Sequence, residues 1–335
     1  MSKAKNNLVT QAFTVIQPGI LSLLQDSGRF GKHNIGLTNG GPLDKQSFDW
    51  ANRLLNNDND ACVIEASIGG LVLKASMDTQ IAITGGDAEV SINQTVVDSW
   101  QTHNIKIGDT ISFGFAKTNT RHYLAVKGGF QTDAMFGSRA TVVREKLGGI
   151  DGNALKAGDE IPCLTNAQNA VDSQNYSVNY HDRPSHIRSN DSSKNINLRV
   201  VLAYQHKTFT DLQKARFFNH DFTLTDKCDR MGFRLSGPSI QSSLHTNEGG
   251  MLSEGICYGA IQIPADGQAI VLLNDRQTIG GYPKIGSVFS LDIPKLTQRL
   301  PGTKLSFEAI TMDEAQQQLL LADYRYKNYR LNQVP

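Results

Sequence analysis

Apolar residues in this chain recur in short alternating runs, not in long helical stripes. Between Gly69 and Gly129 the segments GGLVLKA, TQIAITGG, AEVSIN, QTVV, DTISFGF and RHYLAVKGG are each a strand's length and rich in β-branched residues. Turn signals separate them about every 8 to 12 residues, a spacing that belongs to sandwiches and barrels and not to alternating βα units. Further strands are expected from Phe13 to Ile20, ended by the Pro18-Gly19 turn, across the Glu65-bearing segment DACVIEA, at KAGDEIPC, and at LRVVLA after Asn197. Two segments break the pattern. GPLDKQSFDWANRLL reads as a helix with Pro42 in its first turn, Asp44 as N-cap, and Phe48, Ala51, Leu54 and Leu55 on one face. FTDLQKARFFN reads as a second helix, with Leu212, Ala215 and Phe218 on its apolar stripe.

The polar stretch 166–195 has almost no apolar run, so it buries little surface and reads as an interdomain connection or a surface insertion, with solvated His181, His186 and Arg188. It divides the chain into regions 1–165 and 196–335, and these are similar to each other. EASIGGLVLKA from Glu65 matches EGICYGAIQIPA from Glu254, and IAITGGD from Ile81 matches IVLLNDR from Ile270, both pairs offset by 16 positions (65 to 81, 254 to 270). KIGDTISF from Lys106 matches KIGSVFSL from Lys284, with about ten extra residues in the first copy, where AEVSINQTVV could form an added hairpin. DSGRFG and CDRMGFR precede the two copies. Ordered self-similarity of this length predicts a mainly β protein of two duplicated β-barrel domains with a few short helices.

With 335 residues the chain is long enough for two cores that need no disulfide or metal. Charges nearly cancel, 33 basic against 32 acidic, which gives no reason to expect nucleic acid or an anionic membrane as partner. No run of about 18 apolar residues suggests a transmembrane helix, and the polar N-terminal MSKAKNNLVTQ lacks the apolar core of a signal peptide, so a cytoplasmic protein is expected. The four cysteines are far apart and form no CxxC pair, and no metal site is expected.

The chemically pointed residues gather between Thr225 and Ser290. Asp229, Arg230, Arg234, Glu254, Gln262, Asn274, Asp275, Arg276, Gln277 and Tyr282 are set among glycines, Gly232, Gly237, Gly255, Gly259, Gly267, Gly280 and Gly281 among them, a pattern that fits either tight turns with charges facing water or loops carrying a site. Earlier in the chain, Asp26 and Arg29 flank Gly28, where they can pair with each other or leave one free for a ligand. Gly137-Ser138-Arg139 is a turn that could offer amides and a guanidinium to an anion, or be a surface turn.

Three of these stretches, LLQDSGRFGKHNIGLTNGGPLD, DRMGFRLSGP and SEGICYGAIQIPADGQAIVLLNDRQTIGGYP, in this order with GSRAT between, resemble the family known as allophanate hydrolase subunit 2, also called the biotin-dependent carboxyltransferase family or the C subunit of 5-oxoprolinase. The resemblance covers nearly the whole chain. It implies two cyclophilin-like β-barrels and a subunit of an ATP-dependent 5-oxoprolinase, which opens the lactam of 5-oxoproline to glutamate. The implied partners are an allophanate hydrolase subunit 1-like protein and a third subunit. An alternative is a biotin-dependent carboxyltransferase acting on a urea-like amide, as in the matching part of urea carboxylase. A second alternative is a non-enzymatic regulator that binds a kinase-inhibitor partner.

Both enzymatic readings need donors aimed at an amide oxygen that gains negative charge. Glu254 and Asp275 are then the candidate acid/base residues, with Lys284 and Tyr282 closing the pocket or stabilising the oxyanion. Arg230, Arg234 and, in the first region, Arg139 are candidates for a carboxylate or phosphate. Gln262 and Gln277 can bind an amide or ureido group, Asp229 can orient or pair with Arg230, and Asp26 and Arg29 are the matching candidates near the start. The sequence has neither GxxxxGK[ST] nor a biotin-accepting AMKM, so ATP or biotin is expected to reach the site on a partner.

Overall fold

The computed structural model describes residues 11–164, 174–188, 195–246 and 251–334. The chain is mainly β with a few short helices, and its contacts divide it into two units. The first takes residues 1–29, 40–188 and 331–335; the second takes 30–39 and 189–330.

The first unit is built on two sheets. One runs in the order Glu160–Cys163, Gln11–Pro18, Leu71–Ala75, Thr110–Phe113, Val90–Ile92, Thr95–Val97. The other runs Leu21–Gln25, Val63–Ser67, Arg121–Val126, Thr79–Gly85, Gln101–Ile105, Asn175–Ser177, Asn332–Val334. Alternation on the strands sends Phe13, Leu73 and Ile111 from the first sheet and Leu24, Ile64, Ile81 and Leu124 from the second into one buried core. Phe13 meets Phe130 edge to face at 5.9 Å. Each fully buried side chain of this size contributes about 1.5–3 kcal/mol. The hairpin expected in AEVSINQTVV forms, with Val90 opposite Val97. At the turn before Leu71 only glycine fits: Gly69 has φ +137°, and a Cβ there would lie 1.9 Å from the Gly114 carbonyl oxygen.

The first helix is Lys45–Leu54, capped by Asp44, whose carboxylate accepts from the Ser47 amide at 3.0 Å. Pro42 lies outside it, and Phe48, Ala51 and Leu54 face inward as expected. The second copy of the repeat closes into a barrel ordered Ile196–Leu202, Lys284–Val288, Ala260–Gln262, Ile270–Leu272, Gly232–Ser236, Phe222–Cys228, Lys304–Ala309. Its first and last strands meet in parallel, with Ile196 opposite Leu305.

Two expectations are corrected. The helix Asp211–Phe218 buries Phe217, while Leu212 is exposed, because Phe217 stacks on Phe307 at 4.4 Å and packs against Phe222. His186 is not solvated. It is buried, with Nε2 2.9 Å from the Asp44 carboxylate, so the short helix Ser185–Arg188 is pinned to the cap of the first helix. His181 and Arg188 are exposed. Of the polar stretch 166–195, residues 166–173 and 189–194 lie outside the described residues. No helix among the described residues is long and apolar enough to cross a membrane.

Candidate functional site

In the barrel unit, the register places Gln262 directly opposite Lys284 on neighbouring strands. The Lys284 side chain is only 7% exposed, and its ammonium pairs with Glu254, which is 32% exposed. Glu254 stands on the two-residue strand Glu254–Gly255, paired with Ile279–Gly280. Its carboxylate also accepts from the Tyr204 hydroxyl and from Gln205 Nε2. Gln205 ties the cluster together, since its Oε1 accepts the backbone N–H of Lys284 at 2.8 Å. Burial pushes the Glu254 carboxyl up, but the hydrogen bonds from Lys284, Tyr204 and Gln205 outweigh it and hold the group below the usual carboxylate range. The bond to Glu254 raises the Tyr204 phenol, which therefore stays protonated.

Beside this ion pair, Gln262 Nε2 is buried without a hydrogen-bond partner. A Cβ at Gly280 would come within 3.0 Å of that nitrogen and 2.6 Å of Ile256 Cδ1, so a larger residue there would press on the amide. An unsatisfied buried N–H costs about 1–3 kcal/mol, which a ligand acceptor would recover. The cluster thus offers a buried cation and a free amide donor next to an anionic carboxylate, the equipment for an acceptor oxygen that gains charge.

The other second-region candidates are engaged elsewhere. Arg230 and Asp275 form a buried bidentate pair, Nε to Oδ2 at 3.0 Å and Nη2 to Oδ1 at 3.2 Å, and the Asp275 amide donates to the Arg230 carbonyl at 2.9 Å. Asp229 does not contact Arg230 in this arrangement; its carboxylate caps the Met231 and Gly232 amides. Arg234 pairs with Asp266 at the surface. Gln277 is half-buried and Tyr282 is exposed. Arg276 is buried and binds the carbonyls of Ile256 and Leu273 and the Asn39 side chain, and burial lowers its guanidinium.

In the first unit, Asp26 and Arg29 do not pair with each other. Asp26 accepts from the Gly28 amide, the Ser138 hydroxyl and the Arg139 amide, which fastens the Gly-Ser-Arg turn. Arg29 is buried and donates to the Ala140 carbonyl at 2.6 Å. Arg139 Nε donates to the Thr132 carbonyl, and the residue lines a cavity of about 350 Å³ with Lys127, Gln131 and Asn57. Among the described residues no group of three or more His, Cys, Asp or Glu side chains could hold a metal ion.

Tyr204 and Gln205 escape a reading of the sequence. They follow directly on LRVVLA, and a polar pair at the end of an expected strand is the available signal. The repeat, by contrast, points to both Glu254 and Lys284.

Residues 35–309 match the family model described as carboxyltransferase domain, subdomain A and B. The C subunit of 5-oxoprolinase from Haemophilus influenzae is 30% identical over 292 residues, which cover 87% of this chain and 89% of that protein. The protein of the same name from Escherichia coli is 28% identical over 302 residues, covering 90% and 92%. Among solved structures, the urea amidolyase of K. lactis superposes with a TM-score of 0.83 at 26% identity, over 94% of this chain. This chain spans only 19% of that much longer protein. With the barrel, the repeat and the three long motifs converging on the matched span, the chain belongs to the carboxyltransferase domain, subdomain A and B, family.

Proposed function

We propose that the chain is a subunit of an ATP-dependent 5-oxoprolinase and that Lys284, Glu254 and Gln262 handle the lactam carbonyl. The observation that carries this reading is the unpartnered Gln262 amide beside the buried Lys284–Glu254 pair. The likeness to two proteins named as the C subunit of 5-oxoprolinase, over nearly their full lengths, supports the choice of substrate. An unactivated amide resists water at neutral pH, and ATP supplies the phosphoryl group that activates its oxygen. The sequence has no GxxxxGK[ST], so this reading leaves ATP to a partner subunit, an allophanate hydrolase subunit 1-like protein or the third component.

The chain's own residues would orient the lactam. Gln262 Nε2 donates to the carbonyl oxygen, and the Lys284 ammonium, paired with Glu254, lies close to the charge as it develops. Each such donor is worth about 3–4 kcal/mol in the transition state. Glu254 is held ionised below the usual carboxylate range, which makes it a weak proton acceptor and suits it to serve as the counter-charge of Lys284. The Arg230–Asp275 pair fixes the turn between the barrel strands Phe222–Cys228 and Gly232–Ser236 to the segment that follows Ile270–Leu272, and Tyr282 is exposed and able to cover the site.

The test is the complete three-component mixture, assayed for 5-oxoproline-dependent ATP hydrolysis. Turnover that needs this chain, and that falls at least about 100-fold with Gln262→Leu, supports the reading. Turnover unchanged by that substitution removes Gln262 from the site.

A second reading is favoured by the family description and by the K. lactis superposition: carboxyl transfer between biotin and a urea-like amide. The Gln262 amide and Lys284 fit a ureido oxygen as well as a lactam oxygen, and biotin would supply a carboxyl group on its ureido nitrogen. Carboxyl transfer from a biotinylated carrier to urea, with no ATP hydrolysis on 5-oxoproline, would decide for it.

A further inference from the structure

The helix Met312–Asn328 is the longest among the described residues and is firmly started, with a reciprocal capping box between Thr311 and Glu314. Yet Ala315 is its only buried residue. Ala315, Gln318, Ala322 and Tyr326 form the stripe turned toward the unit, while the opposite face carries Leu320 at 71% and Tyr324 at 65% exposure. On that outer face Asp313, Leu320 and Lys327 recur at seven-residue spacing, the period that keeps one seam of a helix against another. Leu320 is the midpoint of the helix, and the charges are arranged around it with opposite signs: Asp313 and Glu314 in the first turn, Arg325 and Lys327 in the last.

We infer that this face binds the same face of a second copy of the chain, as an antiparallel helix pair with Leu320 on the two-fold axis. Antiparallel pairing sets Asp313 of each copy opposite Lys327 of the other, because the two positions are equidistant from Leu320. It also opposes the two helix dipoles favourably. A parallel pair would bring like charges together, and a partner of one dominant charge would match only one end. Self-pairing is the arrangement in which both ends find opposite charge. Lys327 now pairs with Asp323 on its own helix at 2.8 Å, a surface contact that an incoming carboxylate can share. Two facing helices of this length bury less than about 1,200 Å², so the association is weak and reversible.

Sedimentation equilibrium of the full chain over about 1–100 µM, the range of such interfaces, should show a concentration-dependent dimer. Leu320→Glu should raise its dissociation constant at least about tenfold without changing the circular dichroism spectrum. Asp313→Lys and Lys327→Asp should each weaken the dimer, since each places like charges at both ends. Mixing these two variants should restore association, because every opposed pair is then of opposite sign. A chain that stays monomeric throughout, a dimer indifferent to Leu320→Glu, or single variants whose mixture shows no recovery would each overturn the inference.

Discussion

Glu65 and Glu254 occupy the same place in the two halves of the internal repeat, and both accept a hydrogen bond from a tyrosine hydroxyl. Glu65 is only 1% exposed, and its Oε2 takes the Tyr123 hydroxyl and the Leu43 amide, each within 2.8 Å. The Tyr123 oxygen in turn accepts from the Asp44 amide, so this carboxylate anchors the start of the first helix. Glu254 remains partly open and faces a buried ammonium. The matched lysines diverge in the opposite sense: Lys106 is 69% exposed in a surface pair with Asp78, whereas Lys284 is enclosed. In one copy the carboxylate is enclosed and its matched lysine lies at the surface, and in the other the lysine is enclosed and paired with a carboxylate that stays partly open.

The sharpest way to break this contrast is at the lysines. Lys284→Met should lower turnover of the complete assembly by about 100- to 1,000-fold, the scale of a lost oxyanion donor. Lys106→Met should leave it within about twofold, as expected for an exposed pair. Equal losses at both positions would erase the difference between the copies.

A pH titration sharpens the scaffold half. His122 is fully buried in the first unit, and its Nε2 accepts the Ala88 N–H at 3.0 Å, so the ring must be neutral there. Burial lowers its pKa from 6.5 to about 4. The unfolded chain therefore binds the extra proton first, and stability present above pH 6.5 is lost as pH falls toward 4. The loss amounts to about 3 kcal/mol. Both tryptophans, Trp50 and Trp100, belong to the first unit, so tryptophan fluorescence in urea follows this unit. His122→Asn should flatten the pH dependence; an unchanged slope would assign it to another group.

The glutamates come next in size. Glu65→Gln should cost the tryptophan-reported transition about 1–3 kcal/mol, because buried donors lose their acceptor. Glu254→Gln should leave that transition in place and reduce turnover instead. A smaller effect distinguishes the Glu254 carboxyl by its acidity. Since the folded pKa is depressed, its contribution persists above the ordinary carboxylate value and disappears only as pH falls through the lower folded one. The acid limb of the turnover profile should lie below the usual carboxylate range and change shape in Tyr204→Phe, which removes one of the bonds holding it down. A limb at an ordinary carboxylate pKa in both proteins would show that another group sets it.

Local rules make much of this molecule legible. Asp44 announces a helix start, and alternation locates the strands and the added hairpin. The equal offsets of the repeat point to Glu254, and the matched KIG segments, allowing for the hairpin inserted in the first copy, point to Lys284. What stays hidden depends on partners far away along the chain. The buried face of Asp211–Phe218 is chosen by Phe307, and two turns of helix are too short for periodicity to outvote a stacked ring. His186 lies in a stretch whose composition suggests water, and its partner Asp44 is 142 residues away. Arg230 and Asp275 look like two ligand-seeking groups because sequence cannot reveal that they pair with each other. Gln205 is missed because the two groups it ties together, the Glu254 carboxylate and the Lys284 amide, are both far from it in sequence.

The chain changes allegiance more than once: residues 30–39 belong with the barrel, and residues 331–335 return to the first unit. A split made just after Arg188, where a protein engineer would naturally cut, therefore yields two incomplete halves. The leading fragment would lack Asn332–Val334 and expose the backbone edge of Asn175–Ser177 to unwanted pairing. The trailing fragment would lack Asn39, which takes an N–H from Arg276. Reporters or affinity handles built on separable halves would suit this protein poorly, whereas co-expressed fragments should find each other through the pieces they have exchanged.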